Sequence, residues 1–476
     1  MAQKKNSSVT RSRPEPRSRA LPVTGALLKK MQAGFQANQG YRIAQNAVTR
    51  NSIEDVALNR RVVTDTDHTF SHLLDDWTVT NQKQSGRCWL FAGLNLFRVG
   101  AMKKLNIKEF EFSQNYILFW DKLERSNYFL EAIKETAARP LEDRTVAYLL
   151  DHPLDDGGQW TMFANIVRKY GLVPQAFMPE SQSSSNTRQL NSILRAKLRE
   201  GALGIRNLLN RGKSVATAER YKEKILDVIY RILSINLGDP PARFTWQWID
   251  KDKKFHREEE LTPQQFARKY LEAPPDEYVC LVHDPRSSNP YKRTYTVEYL
   301  GSVVGGDQVR YLNVEIGIMK ELAMRSIQEG EPVWFGCDVR HMMDRKLGIL
   351  DENLYDFGLL YDTTFEMDKE SRLHYHQSMM SHAMLFTGVD ILAGNPRRWR
   401  VENSWGEDVG KKGFFVMNDS WFDEHMFEIT VRKSRLPQDL LKAWELKPIV
   451  LPPWDPMGSL AGDSLAGAAW PGRPAG

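Results

Sequence analysis

Residues 81–92 read Asn81-Gln-Lys-Gln-Ser-Gly-Arg-Cys88-Trp-Leu-Phe-Ala, a polar, glycine-bearing loop that passes directly into an apolar run. From Trp89 the apolar residues Leu90, Phe91, Leu94, Phe97 and Met102 recur largely at three and four positions, with Asn95 and Arg98 between them. That spacing predicts a helix. Ser85 or Gly86 serves as its N-cap, which puts Cys88 in the first turn. Unpaired N–H groups and the helix dipole favour negative charge there, so the thiol is expected to ionise readily and act as a nucleophile. A cysteine among Trp and Leu side chains is ordinarily an inert core residue. A chemical role for Cys88 therefore requires a base, a group that orients the base, and oxyanion donors elsewhere in the chain.

With 476 residues the chain is long enough for two or more folded units. A hydrophobic content of 41% fits a soluble globular protein. No apolar run reaches bilayer length, and residues 1–30 lack the apolar segment of a secretory signal, so no membrane partner is expected. Cys88, Cys280 and Cys337 are the three cysteines. They are too scattered for a disulfide framework and form no C-x-x-C pair, which points to reducing, cytoplasmic surroundings. Arg11, Arg13, Arg17 and Arg19 give the N-terminus some character of a mitochondrial presequence. Pro14, Pro16 and Pro22 oppose the helix such a presequence needs, and a solvated basic tail over 1–25 is the preferred reading. A metal site built on His374, His376 and His382 lacks a nearby cysteine, and Asp368 and Glu370 lie in a polar stretch. No metal or other cofactor is expected.

The rest of the chain divides by pattern. Residues 26–186 contain the Cys88 helix, a helix begun by Ser113 and further helices over 141–151 and 161–170, the last stopped by Gly171. Asp155-Asp-Gly157-Gly158-Gln-Trp160 lies among them, and its paired glycines are either a plain turn or a place where a substrate backbone comes close. Ser181–Asn186 marks a break. Residues 187–300 form a mainly helical insertion with a small sheet. It has two amphipathic stretches, an alternating Phe244, Trp246 and Trp248, a Thr262-Pro-Gln-Gln265 helix start and strands over 279–283 and 294–300. Residues 301–452 are β-rich, with strands near 332–340, 383–390, 398–403 and 413–418. Residues 453–476 form a C-terminal arm and a flexible extension rich in Gly, Ala and Pro.

The groups that Cys88 needs occur in order. Gln82 stands six positions before it, His382 opens an apolar strand in Ser381-His-Ala383, and Asn403 and Trp405 belong to Glu402-Asn-Ser-Trp-Gly406. This order resembles the papain-like cysteine peptidases. The resemblance implies Cys88 as nucleophile, His382 as general acid/base, Asn403 as its orienter, Gln82 as an oxyanion donor, Trp405 as a shield over the His–Asn bond, and Gly157, Gly158 and Trp405 as substrate-binding residues. It also implies an α+β fold of a helical half and a β-rich half. The spacing of 294 residues between Cys88 and His382 leaves room for an inserted domain.

Gly86-Arg-Cys-Trp-Leu-Phe91, Asp156-Gly-Gly-Gln-Trp160, Lys169-Tyr-Gly-Leu-Val-Pro174, Trp334-Phe-Gly-Cys-Asp338, Trp399-Arg-Val-Glu-Asn-Ser-Trp-Gly406 and Trp454-Asp-Pro-Met-Gly458 narrow the resemblance. Together they resemble the bleomycin hydrolase family. Membership implies cysteine aminopeptidase activity on peptides, amide hydrolysis of bleomycin, and a homohexamer whose sites face an internal channel lined by basic residues. It further implies a C-terminus lying in the cleft, which limits the enzyme to N-terminal trimming. The family pattern ends near Ala461, whereas this sequence continues for fifteen residues more. Either the tail is cut back near Ala461 or the exopeptidase specificity is altered.

Two rivals use the same residues differently. Residues 187–231 hold eleven Lys/Arg against four Asp/Glu, a basic excess that could follow a phosphate backbone in a hexameric channel. Tyr221 and Tyr230 are the only aromatics in that stretch, which is poor in stacking surface. A Cys–His acyltransferase would use the same triad logic. The Asn-Ser-Trp-Gly element and the paired glycines favour a peptide cleft by resemblance.

Overall fold

The helix that begins at Cys88 extends to Leu105, and every residue from Cys88 to Met102 is buried. A helix apolar on all sides belongs in a core. The computed structural model describes residues 21–74 and 77–462. In it the helices Gln114–Glu135, Trp160–Tyr170 and Pro263–Tyr270 pack around the Cys88 helix. The strands Val333–Cys337 and His382–Leu392 pack against it as well. Two buried apolar clusters follow: one joins these helices, the other fills the β-rich half around Phe335, Phe386, Trp399 and Phe422.

The main sheet is mixed. Its centre is an antiparallel run of Tyr278–Val282, Met426–Arg432, Val333–Cys337, His382–Leu392, Asn395–Glu402 and Phe414–Asn418. His382 pairs with Cys337 at one end of this ladder, and Glu402 pairs with Leu385. At one flank Tyr311–Asn313 runs parallel to Tyr278–Val282, and Arg293–Val297 pairs antiparallel with it. The strands expected near 279–283 and 294–300 thus exist but belong to this large sheet, not to a sheet private to the insertion. The burial of all of Tyr278–Val282 and of Thr294 to Val297 is what strands covered on both faces require. The separate two-stranded sheet is Phe244–Ile249 with Phe255–Leu261.

Local chemistry explains most helix limits. Ser113 accepts from Tyr116 N–H, and Thr262 and Gln265 form a reciprocal capping box with Pro263 in the first turn. The two amphipathic stretches are the helices Arg188–Asn210 and Val215–Leu237, which pack on each other and on Gln114–Glu135. The segment Ser181–Asn186 contains a short helix, Gln182–Ser185, held by reciprocal Ser181 and Ser184 bonds. The Cys88 helix has Arg87, not Ser85 or Gly86, at its N-cap position, and no side chain caps it. Ser85 is engaged elsewhere: its hydroxyl donates to Gln82 O and accepts from Arg87 Nε.

Residues 21–58, with Asp356–Phe365, form a compact unit of their own. It contains the helices Gly25–Ala37, Gln39–Val48, Ile53–Ala57 and Phe357–Tyr361. Tyr41 donates to Asp362 Oδ2 at 2.9 Å within it. Of the expected basic tail, residues 1–20 lie outside the described residues; Thr24 caps the first helix through Leu27 N–H. Of the C-terminal extension, residues 463–476 also lie outside them. No helix among the described residues is long and apolar enough to cross a membrane.

One buried polar cluster ties the helical half to the sheet. The Glu402 carboxylate accepts from Arg98 at 2.6 Å, Asn95 at 2.9 Å and Trp77 Nε1 at 2.7 Å. The Arg98 and Glu402 side chains are each only 1% exposed. Removing one partner of such a pair leaves a buried charge without compensation. Arg98→Ala is expected to lose about 3–5 kcal/mol of unfolding free energy, read as a lower denaturation midpoint in urea.

Candidate active site

The loop before Cys88 is fastened to the strand end that carries Asn403. Gln82 N–H donates to Ser404 O at 2.8 Å, and Ser404 Oγ donates to Gln82 Oε1 at 2.6 Å. Gln82 Nε2 donates to Ser85 O at 2.6 Å, which uses one of its two N–H bonds. Arg87 is fully buried, and its guanidinium makes a two-point pair with Glu180, both bonds at 2.8 Å. These contacts deliver Cys88 to the first position of its helix, facing the start of the His382 strand.

There the Ala383 N–H donates to Cys88 Sγ at 3.4 Å, so the sulfur lies beside the residue that follows His382. His382 Nε2 donates to Asn403 Oδ1 at 3.0 Å. A neutral ring with its proton on Nε2 carries its lone pair on Nδ1, and Nδ1 has no hydrogen-bond partner among the described residues. The Trp405 ring lies 4.9 Å from the His382 ring at 30° and is 5% exposed, over the His–Asn pair. The structure therefore brings together Cys88, His382, Asn403, Gln82 and Trp405, although they come from widely separated parts of the chain.

Burial works against the expected ready ionisation of the thiol. Burial pushes the Cys88 thiol up to about 12, against the pull of the Ala383, Trp89 and Cys88 N–H groups. Burial also pushes His382 down to about 4; the Asn403 bond opposes this and the Arg345 charge adds to it. The helix N-terminus is present, but full desolvation of the sulfur outweighs it.

The second wall is built on Asp156. Its carboxylate accepts from Lys122 and Asn191 at 2.7 Å, from Thr187 Oγ, and from Gly86 N–H at 3.0 Å. Burial disfavours its charge, but Lys122, Thr187 and the Gly86 N–H hold the carboxyl well below the usual range. Asp156 thereby links the helix Arg188–Asn210 to the loop before Cys88. The following glycines are tightly enclosed. A methyl on Gly158 would come within 2.5 Å of the Trp89 ring, and one on Gly157 within 2.9 Å of Leu460 and Gly462.

Those last contacts belong to the C-terminal arm, which lies in the cleft. Gly158 N–H donates to Ala461 O at 3.2 Å, and Gly462 N–H donates to Ser381 O at 3.2 Å, one residue before His382. Behind the arm is a cavity of about 630 Å³, lined by Tyr148, Asp155, Arg188, Asn191, Trp454 and Leu460 among others. Asp338 steadies the segment that leads to His382. Its fully buried carboxylate accepts from Ser378 Oγ and Ser381 Oγ at 3.1 Å and from Met379 N–H at 3.2 Å.

The sequence assigns no role of their own to Asp156, Ser381, Ser404 and Asp338. Asp156 and Asp338 belong to the motifs Asp156-Gly-Gly-Gln-Trp160 and Trp334-Phe-Gly-Cys-Asp338, yet nothing in their spacing tells that their carboxylates turn inward. Cys280 and Cys337 are buried, their thiols pushed up by burial. His374 and His376 are exposed, and among the described residues no group of three or more His, Cys, Asp or Glu side chains could hold a metal ion.

A cysteine opening a buried helix, set against a histidine opening a strand of a mixed sheet, defines the papain-like peptidase fold in its α+β form. The comparisons agree. The model of the peptidase C1-like family matches residues 22–458, and the chain belongs to that family. It is 43% identical to aminopeptidase C of Lactobacillus delbrueckii subsp. lactis, over 92% of this chain and 98% of that one. It is 45% identical to the bleomycin hydrolase of Gallus gallus, over 90% of this chain and 96% of that one. The crystal structure of pepw from Lactobacillus rhamnosis HN001 (DR20) superimposes with a TM-score of 0.91 at 47% identity, covering 92% of this chain and 99% of that one.

The depressed His382 has a consequence for stability. Below its ordinary value of 6.5 the unfolded chain binds a proton that the folded site refuses until about 4. Its contribution is therefore complete above pH 6.5 and is lost as pH falls towards 4, about 3 kcal/mol in all. Urea titrations of the wild type and His382→Gln between these limits should show a shallower acid decline in the variant.

Proposed function

We propose that this chain is a cysteine aminopeptidase of the bleomycin hydrolase type, which removes N-terminal residues from peptides and hydrolyses the amide of bleomycin. Cys88 is the nucleophile, His382 the general acid/base, Asn403 the orienter and Gln82 an oxyanion donor. The observation that carries this reading is the pairing of His382 Nε2 with Asn403, which leaves the Nδ1 lone pair for the proton of a sulfur held against Ala383 N–H.

In the reaction, Nδ1 takes the Cys88 proton as Sγ attacks the peptide carbonyl. The second Gln82 Nε2–H and the Cys88 backbone N–H receive the developing oxyanion. His382 then gives its proton to the leaving amine, and water cleaves the thioester with the same imidazole as base. Trp405 keeps water from the His382–Asn403 bond.

The register of the arm supports exopeptidase action. Ala461 and Gly462 make backbone bonds to Gly158 and Ser381, as the acyl part of a peptide would. Gly157 and Gly158 leave room for no side chain on that wall, so they serve as backbone-binding residues. Longer substrates are thereby kept from extending past their first residues. Removal of the tail near Ala461 would restore an end carboxylate in the cleft. The family resemblance supports a homohexamer and a cytoplasmic location.

Cys88→Ala is expected to abolish hydrolysis of aminoacyl-coumarin substrates with the circular dichroism spectrum unchanged. His382→Ala should lower kcat/KM by about 10²–10⁴-fold, and Asn403→Ala by less, since it acts only through the histidine. Intact-mass measurement of purified wild type and Cys88→Ala tests the arm: a mass shortened near Ala461 in the wild type alone is expected. A full-length wild type that still trims peptides one residue at a time would contradict it.

A further inference from the structure

The cleft has two flanks, and the arm occupies one of them. Residues 459–462 run from Gly158 towards Ser381, approaching Cys88 from the acyl side. A peptide bound in the same sense leaves across the other flank. Its leaving nitrogen must come within reach of the His382 ring, which supplies its proton. The next surface beyond His382 is the Trp405 ring, 4.9 Å away between centroids. Over Trp405, at 4.6 Å from its ring centre, lies the Arg345 guanidinium.

Arg345 is well placed to hold a ligand. It follows the short strand Met343–Asp344, and its carbonyl accepts from Gly410 N–H at 3.2 Å, which ties its loop to the one after Trp405. The side chain is exposed, and it forms no ion pair with a carboxylate among the described residues. The neighbouring Asp344 is engaged with the N–H groups of Lys346 and Leu347 at 2.8 Å. Stacking on an indole orients a guanidinium and strips water from one of its faces, while its N–H edge stays open for a two-point bond to a carboxylate.

Resting on the aminopeptidase reading above, we propose that Arg345 is a specificity-determining residue that receives a carboxylate on the leaving part of the substrate. That carboxylate is either the free terminus of a dipeptide or an acidic side chain at the first leaving residues. The contact also acts on the chemistry. The Arg345 charge is one of the influences that push the proton affinity of His382 down. A carboxylate bound to Arg345 offsets that charge, so the imidazolium formed during attack is less disfavoured when such a substrate is in place. Preference for these substrates therefore shows in kcat as well as in KM.

Two matched substrate pairs test this: alanyl-glycine against alanyl-glycinamide, and an amidated tripeptide with Asp second against the same peptide with Asn second. Wild type is expected to favour the carboxylate member of at least one pair by about tenfold in kcat/KM. Arg345→Gln should bring that ratio close to one, Arg345→Glu should invert it, and Arg345→Lys should keep part of it. An effect confined to the first pair identifies the terminal carboxylate, and one confined to the second the acidic side chain. Equal rates within both pairs in the wild type, or an unchanged ratio in Arg345→Gln, overturn the proposal. If wild type hydrolyses none of the four and no aminoacyl-coumarin either, the aminopeptidase reading itself has failed and the proposal falls with it.

Discussion

The buried Glu402 carboxylate joins the two halves of the molecule at the point where chemistry is to occur. On one side it accepts from Asn95 and Arg98, two residues of the helix that begins at Cys88. On the other it is the last residue of its strand, directly before Asn403. The helix that carries the sulfur and the strand end that orients the imidazole are thus held by a single charged contact, with Trp77 closing it off. A buried ion pair gives modest net stability, because desolvation consumes most of its Coulomb energy. Its geometric demand is strict, however. Sliding the helix by one turn would leave a carboxylate and a guanidinium unpaired in an apolar core.

Around that tie the site is built from inward-facing polar groups that each serve two segments. Gln82 joins the loop before Cys88 to Ser404, Asp156 joins it to the helix Arg188–Asn210, and Asp338 holds the approach to His382. Their common effect is preorganisation: donors and acceptors lie in place before substrate arrives, so little reorganisation is left for the reaction. The same closeness desolvates Cys88 and His382 and disfavours the charged form of each. A helix N-terminus alone suggests an ionised sulfur; a helix N-terminus sealed under a sheet does not.

Much of this was legible in the chain. The helix spacing after Cys88, the Ser113 and Thr262 caps and the alternation at Phe244, Trp246 and Trp248 all act over a few residues, and the structure realises each. Cys88, His382, Asn403, Gln82 and Trp405 were recognisable because each sits in a local signature. The readings that changed depended on distant partners. Tyr278–Val282 and Arg293–Val297 look like strands of any small sheet, and only pairing with Met426–Arg432 and Tyr311–Asn313 makes them part of the large one. Ser85 looked like a cap, but Gln82 and Arg87 claim its hydroxyl.

By itself, then, the sequence determined the family, the order of the candidate site residues and most helix and strand positions, since these follow from periodicity and short motifs. Only the tertiary structure decided the desolvation of the Cys88–His382 pair, the inward turn of Asp156 and Asp338, the seat of residues 459–462 between Gly158 and Ser381, and the stacking of Arg345 on Trp405. The reason is physical. Desolvation and hydrogen bonding depend on which groups surround an atom in space, and residues hundreds of positions apart supply most of those neighbours here.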